Sequence, residues 1–322
     1  MPDVNLGLLL STTLKNYRET LVDQIHNSNA LFFMLKQKGA MKEESGGERI
    51  VQPIMYGTNT TATSYSGYDL LDTTPQAGID AAEFNWKQYS ASITISGEEE
   101  KKNAGSKTKI IDILDARTKQ ARLGLQQALT EGIFSDGTAN SNKQLTGLVA
   151  MVNSSGTYGG INSSTYSWWR SNVDSTSEAL SLADMRTAFN TPSLGGKDHP
   201  NLIVTTQTLF EGYEAFLTNV AISGGGSHFS TPSEGTKKLG DAGFQALEFK
   251  GVPIVWDENC TSGAMYFLNT EHMKLVVHAD RNFAVSDFVK PENQDARVAQ
   301  ILWMGNLTCD RRKSFALLSN KT

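Results

Sequence analysis

Apolar residues recur every three or four positions in the first part of the chain, as they do along one face of an α-helix. That face would carry Leu10, Leu14, Tyr17, Leu21 and Ile25. An apolar cluster at Phe32–Met34 follows, and Gly39 and the glycine pair at 46–47 predict the end of the helical region. This pattern predicts either a core helix or an arm that packs on a neighbouring subunit.

From residue 48 to residue 100 the pattern changes to the two-residue alternation of β-strands. Two β-like runs, 48–57 and 82–96, enclose a polar segment at 58–80 that has no regular period. We therefore expect a long hairpin with a large polar tip and with apolar residues on both faces. Such a hairpin is poorly stable alone. Its length and its polar tip favour packing on a neighbouring subunit.

The second β-like run changes phase part-way along. Phe84 and Trp86 alternate on one face, whereas the later apolar residues alternate on the other. Those later residues are Tyr89, Ala91, Ile93 and Ile95. This shift predicts a β-bulge or a strong twist near Gln88.

Residues 106–131 carry the clearest helical pattern in the chain, with Ser106 as the expected N-cap. The apolar stripe of this helix would contain Ile110, Leu114, Ala121, Leu125 and Ala128, with Gly124 among them. The helix would be about 39 Å long. Alternating helices and strands follow up to residue 248, and the rest of the chain is dominated by strands. The combination predicts an α+β fold.

The net charge of the 322-residue chain is −5, which argues against an electrostatic nucleic-acid binder. The two small basic clusters, Lys237–Lys238 and Arg311–Lys313, are expected to be solvated surface. Two cysteines, Cys260 and Cys309, are too few for a disulfide framework. We expect inert thiols and an origin in a reducing, cytoplasmic compartment. No segment is long enough to cross a membrane.

Motifs that carry chemistry are missing from the sequence. Neither a phosphate-binding loop nor a GxSxG nucleophile elbow occurs, and the five histidines do not have zinc-ligand spacing. Cys260 with His272 or His278 is the remaining candidate for a nucleophile pair. Asp257 and Glu258 are adjacent, so their side chains would point apart in a strand or an extended loop. The sequence therefore predicts no catalytic residue, no metal site and no cofactor.

The order of the parts resembles the major capsid proteins of tailed double-stranded DNA bacteriophages, which have the Hong Kong 97 type of fold. The parts are an N-terminal arm, a very long hairpin, a long helix, a mixed α/β region and a final β hairpin. Local segments are also similar to that family, and the resemblance covers nearly the whole chain. The similar segments are residues 131–152, which contain a "TGL" turn, and residues 201–217, 249–277 and 296–318.

The resemblance implies a division into four regions. Residues 1–46 would be the N-terminal arm, and residues 47–103 would be the extended loop. Residues 104–147 and 296–322 would form the peripheral domain, which contains the long spine helix. Residues 148–295 would form the axial domain. The loop that contains Cys260 would then only connect two scaffold strands, and its acidic residues would be solvated.

The function implied is that of a major capsid protein. It would assemble with itself, as pentamers and hexamers, into an icosahedral shell that encloses double-stranded DNA. A separate scaffolding protein and a portal would take part, because no long domain precedes the arm. The shell would be assembled in the host cytoplasm and would become the virion, without enzymatic activity.

Three sets of residues are expected to serve assembly. The tip of the extended loop would contact a neighbouring subunit through Tyr65, Tyr68, Leu70 and Leu71. The strand of the loop would use Phe84 and Trp86. The arm would use Leu14, Tyr17, Leu21 and Ile25.

Two alternatives remain open at the level of sequence. One is an encapsulin-like shell protein of a cellular nanocompartment, which shares the fold. The other is a β-rich glycan-binding or tail protein, in which Tyr65, Tyr68, Trp168 and Trp169 would stack on sugars. DNA-filled or cargo-free particles would favour the capsid, and glycan binding by a monomer would favour the latter.

Overall fold

The structure is a computed structural model that describes residues 29–102, 107–193, 198–224 and 246–322. Several predictions concern residues outside these ranges: Leu14, Tyr17, Leu21, Ile25, Ser106, Lys237 and Lys238. The fold is of the α+β class, as the sequence predicts.

The described strands are numbered along the chain. They are β1 (Met41–Glu44), β2 (Arg49–Met55), β3 (Ile79–Asn85), β4 (Lys87–Ser96), β5 (Thr157–Tyr158), β6 (Ile161–Asn162), β7 (Asn172–Asp174), β8 (Leu202–Thr205), β9 (Ala246–Phe249), β10 (Val252–Trp256), β11 (Met265–Leu268), β12 (Met273–His278), β13 (Ala284–Val285), β14 (Ala296–Cys309) and β15 (Ala316–Leu318). The helices are α1 (Ala30–Gln37), α2 (Gly97–Lys102), α3 (Lys107–Ile133), α4 (Leu148–Met151), α5 (Leu182–Asn190) and α6 (Gln207–Gly224). Short 3-10 turns lie at Ser167–Trp169, Ala279–Arg281 and Arg312–Ser314.

Helix α1 contains the apolar cluster that follows the predicted arm. Asn29 is its N-cap, because Oδ1 accepts hydrogen bonds from the backbone N–H groups of Leu31 and Phe32 at 2.8 and 3.1 Å. The chain leaves the helix through Gly39, whose φ is +67°. Leu31, Phe32, Met34 and Leu35 are fully buried. This cluster therefore belongs to the core of its own subunit.

Helix α3 confirms the predicted long helix, and it packs against β4. Leu114, Ala121 and Leu125 are buried, as the pattern predicts. Ala128 is only half-buried. Leu129 lies on the buried face in the place that the sequence predicts for Ala128. The sequence also predicts that Gly124 lies on the buried face, and that prediction is wrong. It lies on the exposed side, where no heavy atom is within 4 Å of a built Cβ.

Strands β2 and β3 form the predicted long hairpin, with residues 56–78 as its tip. The change of phase lies at Trp86, two positions before Gln88. The predicted β-bulge near Gln88 is wrong, because the register between β4 and β14 is unbroken through that residue. At Trp86 the chain changes its partner strand. Strand β3 pairs with β2 before this residue, and β4 pairs with β14 after it. The buried side of the chain changes because the sheet changes.

Strand β14 is the centre of a five-stranded sheet. It pairs antiparallel with β4 from Ala296 to Gly305, and with β12 from Gly305 to Cys309. Strand β13 pairs with β14 at Ile301 and Leu302, and β1 extends the sheet by pairing parallel with β12. The β2–β3 hairpin is connected to this sheet through Trp86, at the N-terminal end of β4.

A six-stranded sheet has the order β7-β15-β11-β8-β10-β9. One face packs on α5 and α6 through Met185, Phe189 and Tyr213. The opposite face joins the main core through Leu202, Val204 and other residues. Because both faces are buried, β8 and β11 read as continuous apolar runs rather than as alternating ones.

The sheets cross the boundaries between the predicted regions. Strands β12 and β13 fall in the predicted axial domain, but they pair with β14 of the predicted peripheral domain. Strand β15 falls in the predicted peripheral domain, but it pairs with β7 and β11. The four-region division stays a prediction. Among the helices of the described ranges, none is long and apolar enough to cross a bilayer.

Candidate intersubunit surface

The β2–β3 hairpin has two different faces. The inner face is buried against the subunit through Ile50, Ile54, Ala82 and Phe84. The outer face carries the exposed apolar residues Val51, Pro53, Met55, Ile79 and Ala81 toward the tip, and the exposed polar residues Arg49, Glu83 and Asn85 toward its base. Met55 and Ile79 lie opposite each other in the ladder and are 79% and 78% exposed. An apolar face of this kind is typical of a protein interface. Its residues were not singled out from the sequence.

The hairpin tip presents its predicted contact residues to solvent. Tyr68 and Leu70 are fully exposed, and Tyr65 and Leu71 are more than half exposed. All four lie on the part of the hairpin that extends beyond the β2–β3 ladder. The tip is therefore not folded back onto its own subunit at these residues.

Local hydrogen bonds shape the backbone of the tip. At its entrance, the backbone N–H of Tyr56 donates to Gly78 O at 2.9 Å. Further out, Asp69 accepts from the N–H of Ser66 and Asp72 accepts from the N–H of Thr74, at 2.8 and 2.9 Å. Such side-chain turns define a loop without apolar packing. The hydroxyl and the N–H of Thr74 also hold the pKa of Asp72 below its ordinary value, so the carboxylate stays charged.

Phe84 and Trp86 face their own subunit. Phe84 is buried and its ring meets that of Tyr158 edge-on, with centroids 5.1 Å apart. Trp86 is partly buried, and its Nε1 donates to Gly47 O at 2.9 Å. These two predicted loop-strand residues therefore hold the base of the hairpin to the body.

The loop at 257–264 crosses over the end of β8 to connect β10 and β11. Its two acidic residues differ in environment. Glu258 is exposed as predicted, but Asp257 is buried and the prediction that it is solvated is wrong. Burial raises the pKa of Asp257, while hydrogen bonds from Asn259 and Asn29 act in the opposite direction. This carboxyl group is a structural acceptor for the start of α1.

Cys260 is poorly suited to nucleophilic chemistry. It is buried, and burial together with the charge of Asp257 raises the pKa of its thiol to about 12. Burial likewise raises the pKa of the Cys309 thiol, and neither cysteine is in a disulfide. His272 is engaged with two carboxylates, and His278 lies against Trp86. A thiolate is thus strongly disfavoured at both cysteines.

Arg312 contradicts the prediction that residues 311–313 are solvated surface. Its side chain is fully buried, and it donates hydrogen bonds only to backbone carbonyl groups in the contacts described. The acceptors are the carbonyls of Ala150, Met151, Asn153 and Trp169, at 2.8–3.1 Å. A run of three basic residues gives no signal for this, because its cause is a distant group of carbonyls.

Two ionic clusters lie at other places in the fold. Asp174, Glu178 and Asp184 bring carboxylate oxygens within 4.8 Å of one another. The ammonium group of Lys321, whose side chain is fully buried, lies among them at 3.1, 2.6 and 3.6 Å. This cluster is therefore an ion-pair network that the lysine already fills.

The second cluster is centred on His272. Its Nδ1 lies 2.8 Å from Asp310 Oδ1, and its Nε2 lies 3.2 Å from Asp198 Oδ2. Arg311 also contacts Asp198, at 2.6 Å. The hydrogen bond to Asp310, opposed by burial and helped by the charges of both carboxylates, raises the pKa of His272. The network joins the residue before β12 to the segment after β14 and to Asp198, which precedes β8.

Solved capsid structures are similar to this fold. A chain from the capsid asymmetric unit of cyanophage A-1(L) has a TM-score of 0.68 and 16% identity, covering 90% of this chain and 92% of that one. A chain from the capsid of a native GTA particle has a TM-score of 0.57 and 10% identity, covering 89% and 90%. A chain from the capsid of Myoviridae phage XM1 has a TM-score of 0.53 and 11% identity, covering 88% and 91%. These likenesses show the Hong Kong 97-like fold. No curated protein sequence matches the chain.

The sequence itself matches a family model, that of the SU10 major capsid protein, over residues 69–322. The chain belongs to this family of major capsid proteins. This capsid protein is therefore a shell protein of tailed phages, and the resemblance seen in the sequence is confirmed. The match supports the phage capsid rather than the encapsulin-like compartment. The glycan-binding alternative is weakened as well, because Trp169 is buried and Trp168 stacks on Tyr56.

Proposed function

We propose that this capsid protein assembles as pentamers and hexamers into the icosahedral head of a tailed phage, around double-stranded DNA. The observation that carries the proposal is the exposure of Tyr68 and Leu70 at the end of a hairpin whose base is anchored. Apolar side chains that are fully exposed in a subunit are buried only through contact with another molecule. A second copy of the chain is the partner that a shell supplies.

The energetics of the tip suit reversible assembly. Burying two such side chains stabilises a contact by about 3 to 6 kcal/mol. A contact of about 4 kcal/mol corresponds to millimolar affinity, so a misplaced subunit can dissociate. Many contacts of this kind, closed together, give a very stable shell.

The proposal includes the other assembly residues and partners. The arm contacts its neighbour through residues that lie outside the described ranges, and the four regions keep the boundaries given above. A separate scaffolding protein and a portal take part in assembly, which occurs in the host cytoplasm. Contacts with the packaged DNA are non-specific. The protein acts as a building unit without catalysis, and the raised thiol pKa of Cys260 supports this.

Electron microscopy of the purified protein tests the proposal. Expressed alone or with its scaffolding partner, the protein is expected to form shells, tubes or isolated capsomers. Light scattering over a range of concentrations measures the same property in solution. A species that stays strictly monomeric at all concentrations, with the partner present, would contradict the proposal.

A further inference from the structure

We propose that residues 157–169 form a clamp that fixes the direction of the extended hairpin, with Trp168 as the main positioning residue. We call these residues the clamp segment. The proposal rests on the proposed function, because a fixed direction matters only if the tip reaches a neighbouring subunit. It assigns to the paired tryptophans a structural role instead of the sugar stacking of the glycan-binding alternative.

The first contact of the clamp segment lies at the far end of the hairpin ladder. Tyr56 follows the last residue of β2, and its ring stacks on Trp168 with centroids 4.5 Å apart and an interplanar angle of 7°. Trp168 is only partly buried and belongs to the 3-10 turn at Ser167–Trp169. The stack joins the point where the tip begins to the body of the subunit.

The second contact lies closer to the base of the hairpin. Strands β5 and β6 are joined by Gly159 and Gly160, both with positive φ, and Gly159 O accepts a hydrogen bond of 3.0 Å from the N–H of Glu83. A Cβ at Gly159 would lie 2.8 Å from the Cβ of Ala82. The ring of Phe84 meets Tyr158 at the same place. The glycine therefore permits a close approach that a larger residue would prevent.

The two contacts are separated along the hairpin. Glu83 lies four residues from Ile79, and Ile79 pairs with Met55, next to Tyr56. At about 3.4 Å per residue, the two points of support are roughly 14 Å apart. A two-stranded hairpin is marginally stable alone, and these two contacts, together with the buried inner-face residues Ile50 and Ile54, fix its direction.

The clamp segment is itself held rigidly. Trp169 is buried, and its Nε1 donates to Tyr158 O at 2.9 Å. The guanidinium of Arg312 lies 5.2 Å from the ring of Tyr158 and donates to the carbonyl of Trp169 at 3.1 Å. The hydroxyl of Tyr158 donates to Leu307 O in β14. The clamp segment therefore holds the hairpin in a fixed position relative to β14.

In the part of the chain that the structure describes, the Tyr56–Trp168 stack closes the outer side of this arrangement, next to the buried side chain of Ile54. Beside it lies an open cleft of about 460 Å³, lined on the body by His272, Asp310 and Arg311 and on the hairpin by residues 53–56. Without the stack, the hairpin is expected to move across this cleft. The tip would still carry its contact residues, but it would point in a range of directions.

Hydrogen exchange of the full-length protein before assembly tests the clamp. Tyr56→Ala and Trp168→Ala are each expected to speed exchange of the amides in β2 and β3 by about two- to ten-fold. The double variant is expected to exchange no faster than either single variant, because both remove the same stack. Tyr56→Phe keeps the stack and is the matched control, with exchange like that of the unchanged protein.

Two results would overturn the proposal. One is unchanged exchange in β2 and β3 in both alanine variants. The other is an equal rise in the exchange rate of the amides of β14, because the stack would then stabilise the whole subunit rather than position the hairpin. Tyr56 is half-exposed, so its variant is expected to fold even if Trp168→Ala does not.

Particle shape separates this proposal from the proposed function. If both hold, electron microscopy of the alanine variants shows irregular shells, and Tyr56→Phe gives regular ones. If the unchanged protein builds no shell, the proposed function fails, and the exchange result still judges the clamp. Regular shells from variants with accelerated exchange would show a clamp that assembly does not need, and would overturn its positioning role.

Discussion

Asn29 and Asp257 lie 228 positions apart in the sequence, and the amide Nδ2 of Asn29 donates a hydrogen bond of 2.5 Å to Oδ2 of Asp257. The other carboxylate oxygen accepts from the N–H of Asn259 at 2.9 Å. Asn29 cannot rotate its amide, because its own oxygen caps α1. Both oxygens of Asp257 therefore serve as acceptors, and they connect the start of α1 to the loop after β10.

Asp257→Asn is expected to destabilise the subunit by about 1 to 3 kcal/mol. The substitution keeps the shape but places an NH2 group against one of the two donors, which leaves a buried donor without a partner. Thermal unfolding of the unassembled protein measures the effect. Glu258→Gln, at the exposed neighbouring position, is the control and should change stability by less than about 0.5 kcal/mol. Equal melting temperatures for the two variants would contradict this account of Asp257.

His272 is expected to make the stability of the subunit depend on pH. Its pKa is raised in the folded state, chiefly by the hydrogen bond to Asp310, so the protonated form stabilises the fold. This contribution is fully present below the unfolded pKa of about 6.5 and is lost as pH rises through the folded pKa. Melting temperatures should therefore fall as the pH rises from about 6.5 through the folded pKa of His272. His272→Gln should make the melting temperature depend less on pH. A variant that keeps the same pH dependence would show that another group is responsible.

Gly124→Ala is expected to stabilise the unassembled subunit by about 1 kcal/mol, because glycine is a poor helix former and a Cβ at this exposed position meets nothing. Gly39→Ala is the matched opposite case. It also meets nothing, but its φ of +67° disfavours a side chain, so the substitution should destabilise by about 1 kcal/mol or more. Denaturant unfolding measures both changes. The same sign for the two variants would contradict this reading of their backbones.

The sequence was sufficient for the elements whose periodicity is local. Helix α3 and the β2–β3 hairpin were predicted because their apolar residues repeat at 3.6 and at two positions. The change of face near Trp86 was also visible, but its cause was not, since a change of partner strand depends on β14, about 200 residues away. The order of elements was enough to indicate the capsid family.

Prediction from the sequence failed where the position of a side chain is set by residues that are distant in the sequence. The run of three basic residues predicts a surface position for Arg312, whereas its position is set by carbonyl groups about 160 residues earlier. Asp257 is expected to be solvated as part of a loop that connects scaffold strands, whereas its hydrogen bond with Asn29 joins it to a helix 228 positions away. The exposure of Tyr68 and Leu70 fits the expected surface, but their contact with a neighbouring subunit stays a prediction.

The central claim is that the exposed tip joins neighbouring subunits, and electron microscopy of Tyr68→Ser/Leu70→Ser tests it most directly. Both side chains are fully exposed, so the variant should melt like the unchanged subunit. Its intersubunit contact should weaken by about 3 to 6 kcal/mol, and closed shells should be lost. Val289→Ser removes an exposed apolar side chain outside the loop and is expected to leave the shells intact. Normal closed shells from the tip variant would contradict the claim.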